Sequence, residues 1–390
     1  MRMNIDFKRN KKIAKRILGM GLVTMFTILI VGCSNSSSSH STSDTNTAKL
    51  ALLTGASGAG AAYGQSIKEG AELAVEQINK KEGSIKINLI IEDTKGDKNE
   101  AITATNKVIH KDNVVAIVGP MLSGEMFAIG PIAQSAKTVI FSTATTAEGI
   151  TDIGSYVFRN AVPESKAVGA AIRESHKKLG YKTVGIIYSV NNDQLVSVYK
   201  TALKEFKELG VTVVSTDSFA DKDTDFSAQV ANIQKANPDI ILVAAHLQEG
   251  SIIMKKLRQV GMNQQVIGSN GFNSPVYIQT AGDAANGSIV GTPWFPDRDS
   301  QITRDFRTAY KAKYNKEPDQ FAAQAYDGIY LMEAALQKAG STTDREKLRE
   351  ALQSIKDIVG VTGNFKFDAN RNPDMDVQVL NVVNGAYKAF

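Results

Sequence analysis

Few residues of this 390-residue chain are spaced for covalent chemistry. The stretch TGASGAG, from Thr54 to Gly60, has the composition of a dinucleotide loop. Such a loop needs a glycine four residues after the first and another two further on, but counted from Gly55 those places hold Ala59 and Ala61. A catalytic Tyr-x-x-x-Lys pair is missing as well, because none of the 11 tyrosines has a lysine four residues on. There is no Gly-x-x-x-x-Gly-Lys-Ser/Thr loop for a nucleoside triphosphate and no Gly-x-Ser-x-Gly elbow for an activated serine. The four histidines (His40, His110, His176 and His246) form no His-Glu-x-x-His zinc motif. His110 and His176 lie in lysine-rich helical segments and read as solvated surface. These negatives argue against an enzyme, and neither a cofactor nor a metal is expected.

The one cysteine, Cys33, is placed for a different reaction. Lys8, Arg9, Lys11, Lys12, Lys15 and Arg16 precede an uncharged, mostly apolar run from Ile17 to Gly32. That run is shorter than the roughly 20 residues a membrane-spanning helix needs. A basic region, a short apolar core and a small residue before a cut site make a secretory signal. Ile30-Val31-Gly32-Cys33 resembles the bacterial lipobox, whose cysteine sulfur takes a diacylglyceryl group before the chain is cut ahead of it; two or three acyl chains then anchor the protein stably. From Ser34 to about Thr47 the chain is nearly all Ser, Thr, Asn and Asp, with nothing to bury, so it reads as a disordered tether. Residues 1–32 are thus expected to be a lipoprotein signal peptide and residues 33–47 the lipidated cysteine and tether. The protein is expected outside the cytoplasm, lipid-anchored at the cell surface or in a periplasm.

Removing the signal also changes the charge. The whole chain has 45 Lys/Arg against 40 Asp/Glu, but residues 1–32 hold seven of the former and only Asp6 of the latter, which leaves 38 against 39 and a net charge of −1. A nucleic-acid partner therefore has no electrostatic footprint.

The elements that would position a site alternate. Apolar runs at Lys49–Gly55, Ile85–Asp93, Val114–Gly119 and Thr138–Ser142 read as strands. Between them, Ser66–Lys80, Asn99–Lys111 and Ser123–Ala136 carry apolar residues at helical spacing. A second cycle has strands at Thr183–Ser189, Val211–Ser215, Asp239–Ala245 and Gln265–Ser269, with helices at Ser165–Gly180, Gln194–Gly210, Asp225–Ala236 and Ser251–Gly261. That makes about eight strands before Ser269. Strands apolar on both faces, alternating with helices, predict an α/β fold with parallel sheets covered on both sides. One open sheet could hold them; two smaller sheets suit the length better. Ligands of such sheets bind outside the carboxyl ends of strands, which points to Gly119–Ser123 and Ala245–Gln248, one from each lobe.

The stretches LLTGASGAGAAYGQSIKEGAELAVEQIN, AIVGPMLSGEMFAIGPIAQSAKTVIFSTATTAEGIT, YVFRNAVPES, DFSAQVANIQKANPDIILVAA, GTPWFPD, FAAQAYDGIYLMEAAL and GVTGNFKFD stand in this order along the chain. Together they resemble the leucine/isoleucine/valine-binding family of type I periplasmic binding proteins, the extracellular component of branched-chain amino acid ABC importers. The resemblance runs from Lys49 to the C-terminus. It implies two doubly wound parallel-sheet lobes joined by a three-strand hinge: lobe one at 48–164 plus 293–362, lobe two at 165–292 plus 363–390. It also implies a small amino-acid-like ligand in the cleft and a membrane permease as partner. By the same resemblance Ser123 matches the hydroxyl that holds the ligand carboxylate, at a helix N-terminus that favours an anion. Ala144 matches the carbonyl that accepts from the ligand ammonium, Thr146 the threonine that contacts both ends, and Tyr63 an aromatic beside the side-chain pocket. Lobe two departs from the pattern. Asn270 stands where the family usually has a carboxylate, Asp193 replaces a tyrosine, and His246 matches another tyrosine. Either Asp193 supplies the carboxylate that Asn270 does not, or the ligand has no full ammonium there and is an amide, a hydroxy acid or a heterocycle. Two other functions stay open at this point: a ligand-sensing lipoprotein built on the same clamshell, and an extracellular α/β enzyme.

Overall fold

The computed structural model describes residues 46–58 and 60–390. The expected signal peptide, Cys33 and the tether up to residue 45 lie outside the described residues. Among the described residues the first element is β1 (Thr47–Thr54), followed by α1 (Ala61–Lys80), β2 (Lys86–Asp93), α2 (Lys98–His110), β3 (Ala116–Val118), α3 (Ser123–Ser135), β4 (Val139–Ser142) and β5 (Val157–Arg159). The five strands form one parallel sheet in the order β2-β1-β3-β4-β5. Leu50, Ala51, Leu52 and Leu53 are fully buried, as expected for a central strand with helices over both faces. The strand β5 was not among the expected ones. It has three residues, too few for a periodicity to show.

The chain continues through α4 (Glu164–Leu179), β6 (Thr183–Ser189), α5 (Asp193–Glu208), β7 (Thr212–Phe219), α6 (Ser227–Ala236), β8 (Ile240–Ala244), α7 (Leu247–Gln259), β9 (Val266–Gly268), α8 (Pro275–Ala281) and β10 (Ser288–Thr292). It then crosses back to α9 (Gln301–Tyr314), α10 (Gln320–Ala339) and α11 (Arg345–Gln353). A small antiparallel sheet follows, made of β11 (Ile358–Gly360), β12 (Gly363–Phe367) and β13 (Pro373–Asp374). The hairpin β14 (Gln378–Val383) and β15 (Ala386–Ala389) ends the chain. The second sheet runs β15-β14-β10-β9-β8-β6-β7, parallel except for the hairpin, which pairs antiparallel on β10.

The chain is therefore an α/β protein of two lobes, each with its own mainly parallel sheet. Between β11 and β14, residues of β12 and of the turn after it pack on the first lobe. Phe367 meets Phe141 and Phe158 edge-on, and Asn372 Oδ1 accepts from Arg159 Nε at 2.8 Å. Only from Gln378 does the chain join the second sheet. The aromatic residues of β12 have an apolar surface to cover beside β4 and β5. In the first lobe α1 lies along α10. Their closeness depends on Gly70, where a Cβ would sit 2.1 Å from the Ala322 carbonyl oxygen. Among the described residues no helix is long and apolar enough to cross a membrane.

Candidate functional site

The carboxyl ends of β3, β4, β8 and β9 converge between the lobes. There Met121 and Leu122 follow β3, Ala144 follows β4, His246 follows β8, and Asn270 and Gly271 follow β9. With Tyr63 of α1, Gln194 of α5 and Phe321 of α10 they line a cavity of about 10 Å³, room for a single water. One wall comes from each lobe. The first lobe gives Met121, Leu122, Ala144, Phe321 and Tyr63; the second gives Gln194, His246, Asn270 and Gly271.

Tyr63 joins the walls. The first turn of α1 projects its phenol across the cleft, where the hydroxyl accepts from Leu247 N at 2.7 Å and donates to Gly271 O at 3.3 Å. Its ring lies 4.6 Å from Phe321 and meets His246 edge-on at 6.3 Å. Burial pushes the phenol far above its ordinary pKa, so it stays a neutral donor. The close approach needs Gly271, since a Cβ there would stand 2.6 Å from the Tyr63 hydroxyl.

Four of the seven expected residues line this cavity: Tyr63, Ala144, His246 and Asn270. Ser123 and Asp193 lie in the adjoining recess at its mouth. Ser123 Oγ accepts from Ala147 N at 3.2 Å and is buried. Asp193, the first residue of α5, faces Lys98, the first of α2, with Oδ2 and Nζ 3.3 Å apart. Both side chains are about half exposed, so this ion pair closes the rim from outside. Thr146 does not line the cavity; its hydroxyl donates to Glu164 Oε1 at 2.9 Å. The loop between Ser142 and Ala147 is set by two neighbours. Ser142 Oγ accepts from Ala144 N and Thr145 N, and buried Arg159 donates to the carbonyls of Thr145 and Ala147.

Three further polar residues were not expected. Glu164, fully buried at the start of α4, accepts from Thr146 on one lobe and from Gln194 Nε2 at 2.8 Å on the other. Burial pushes its carboxyl up to about 7 against those two bonds. Gln320, fully buried at the start of α10, reaches across to lobe two. Its Nε2 donates to the backbone and side-chain oxygens of Asn270, and its Oε1 accepts from Asn273 Nδ2 and Thr292 Oγ1. Gln194 lines the cavity itself. The only sequence signal for Gln320 was its place just ahead of FAAQAYDGIYLMEAAL. Gln194 directly follows Asp193, and Glu164 lies within YVFRNAVPES. Among the described residues no group of His, Cys, Asp and Glu is placed to hold a metal.

The periplasmic binding protein family matches residues 47–386. The Leu/Ile/Val-binding protein BraC3 of Rhizobium johnstonii is 28% identical over 329 residues, covering 82% of this chain and 86% of its own. Among solved structures, the leucine-binding protein LivK of Thermotoga maritima superposes with a TM-score of 0.83 at 30% identity, over 88% of this chain and 97% of that one. The branched-chain amino acid transporter substrate-binding protein LivJ of Streptococcus pneumoniae, solved with isoleucine, gives 0.82 at 29% identity over 88% and 98%.

Proposed function

Because the chain belongs to the periplasmic binding protein family, in its branched-chain amino acid branch, we propose that it is the extracytoplasmic solute-binding protein of an ABC importer. It takes an amino acid, of branched-chain type or a similar small polar solute, between its lobes and delivers it to a membrane permease. It binds its solute and does not transform it. The observation that carries this reading is the small cavity at the strand ends, walled by both lobes and bridged by Tyr63. A cavity of about 10 Å³ is too small for an amino acid, so the cleft must widen to admit one. A ligand that touches both walls then holds the lobes together, and its differential affinity for the closed form drives closure. The proposed ligand set is Tyr63, Ala144, His246 and Asn270 around the cavity, with Ser123, Thr146 and Asp193 at its margin. Native mass spectrometry of the full-length protein tests the reading by weighing what it carries: a small amino-acid-like solute at one per chain is expected, and a ligand-free protein that takes up none of the amino acids offered would contradict it.

The reading includes a lipid anchor at Cys33, supported by the Ile30-Val31-Gly32-Cys33 pattern and the polar tract behind it. Cys33→Ala is expected to release the protein from the membrane fraction and to stop maturation at residue 33. Unchanged membrane retention and the same mature terminus would contradict the anchor.

A further inference from the structure

The hydrogen bonds behind the lobe-two wall decide which atoms that wall offers to the cavity. At Asn270 the argument starts from a backbone carbonyl, which can only accept. Gln320 lies 3.4 Å from the Asn270 carbonyl oxygen through the end assigned Nε2, while its other end accepts from Asn273 and Thr292. The nitrogen of Gln320 therefore faces Asn270, and the Asn270 side-chain oxygen shares it. What Asn270 has left is Nδ2, a donor, which makes no hydrogen bond among the described residues on a side chain that lines the cavity.

At His246 the argument starts from a helix cap. Asn192 Oδ1 accepts from the backbone N–H groups of Gln194 and Leu195 at the start of α5. Its Nδ2 is thus the atom directed at Asp221 Oδ2, 2.8 Å away, and at His246 Nε2, 3.0 Å away. Facing a donor, Nε2 accepts, so the ring proton sits on Nδ1. That N–H is also without a partner among the described residues. Both residues line the lobe-two wall of the cavity, and each keeps one donor without a partner among the described residues.

We propose that the solute meets Asn270 and His246 through an acceptor oxygen, of a carboxylate or a carboxamide, and that no ammonium faces this wall. The inference rests on the cleft being the binding site. Any ammonium on the solute turns instead toward Gln194, which lines the cavity and whose Nε2 is spent on Glu164, so that Oε1 is its remaining polar atom.

Asn270→Asp decides the sign. An aspartate keeps an oxygen for Gln320 and replaces the free donor by a negative charge. Calorimetry on the full-length protein compares wild type, Asn270→Asp and His246→Ala, with L-leucine, L-glutamine and L-glutamate as probes. The expected result is a loss of about ten- to a hundredfold in affinity for the tightest probe in Asn270→Asp, the size of a hydrogen bond to a charged group, and a smaller loss in His246→Ala. L-glutamate hit harder than L-glutamine marks the acceptor as the side-chain carboxylate; equal losses in all three probes mark it as the α-carboxylate they share. Tighter binding in Asn270→Asp, as an ammonium at this wall would produce, overturns the inference alone. A probe that binds Gly271→Val, in which the cleft cannot close on Tyr63, as tightly as wild type overturns the cleft reading and the inference together.

Discussion

At the scale of single residues, the buried carboxyl of Glu164 gives the site a measurable pH signature. Burial raises it from the ordinary 4.5 to about 7, against the hydrogen bonds of Gln194 and Thr146, with Glu148 adding to the rise and Arg159 opposing it. At a pH below 4.5 the folded and unfolded chains both hold the proton, and Glu164 adds no pH dependence. Between 4.5 and about 7 the unfolded chain ionises while the folded one keeps its proton, so stability falls as pH rises; above that range the loss is complete. A shift of this size corresponds to about 3 kcal/mol. Glu164→Gln is therefore expected to gain on wild type by up to about 3 kcal/mol between pH 5 and pH 7.5 in urea unfolding, and an equal difference at both pH values would contradict the assignment. Glu164 also shows where single residues stop being legible. Tyr63, Ala144, His246 and Asn270 were reached through the resemblance of the stretches around them to the leucine/isoleucine/valine-binding family, because a resemblance carries local chain order. Glu164, Gln194 and Gln320 matter through partners 18, 30 and 50 residues away, and nothing in their own neighbourhood announces those partners.

At the scale of elements, the buried strands were the readable part. Leu50 to Leu53 and Ile240 to Ala244 are apolar on both faces, so their runs stand out in the sequence. The edge strand β7 alternates between partly buried and exposed residues and continues to Phe219, four residues beyond its expected end, because Thr216, Asp217 and Ser218 look like a loop. The final hairpin turns at Asn384-Gly385, whose φ of 50° and 70° is the left-handed backbone that suits those two residue types. Helix packing was less accessible, and Gly70 shows why: nothing in KEGAELAV says that Ala322 will lie over it. Gly70→Ala must push α1 and α10 apart or strain one of them, at a cost of about 1–3 kcal/mol. Thermal denaturation of the variant is expected to show a clear loss; an unchanged Tm would mean that the two helices do not approach as described.

At the scale of the whole molecule, the lobes are held by a few polar bridges around a very small space. Tyr63 to Leu247 and Gly271, Gln320 to Asn270, Lys98 to Asp193, and Glu148 N to Ser197 Oγ at 3.2 Å all cross from one lobe to the other. The Lys98–Asp193 pair, half exposed, contributes little; the Tyr63 and Gln320 bridges are buried and carry more. The alternation of elements and the chain length favoured two sheets, and the family resemblance gave the two lobes, whereas the packing of Phe367 on Phe141 and Phe158 joins residues far apart in the chain and no local pattern announces it. The central claim is that a small solute is held between the lobes by a closure that Tyr63 bridges. Calorimetric titration of the full-length wild type and Tyr63→Ala with a panel of the common amino acids tests it most directly. The account predicts one-to-one binding of at least one of them to wild type and a loss of at least about tenfold in Tyr63→Ala. Binding to none of the panel, or equal affinity in the two proteins, would contradict it.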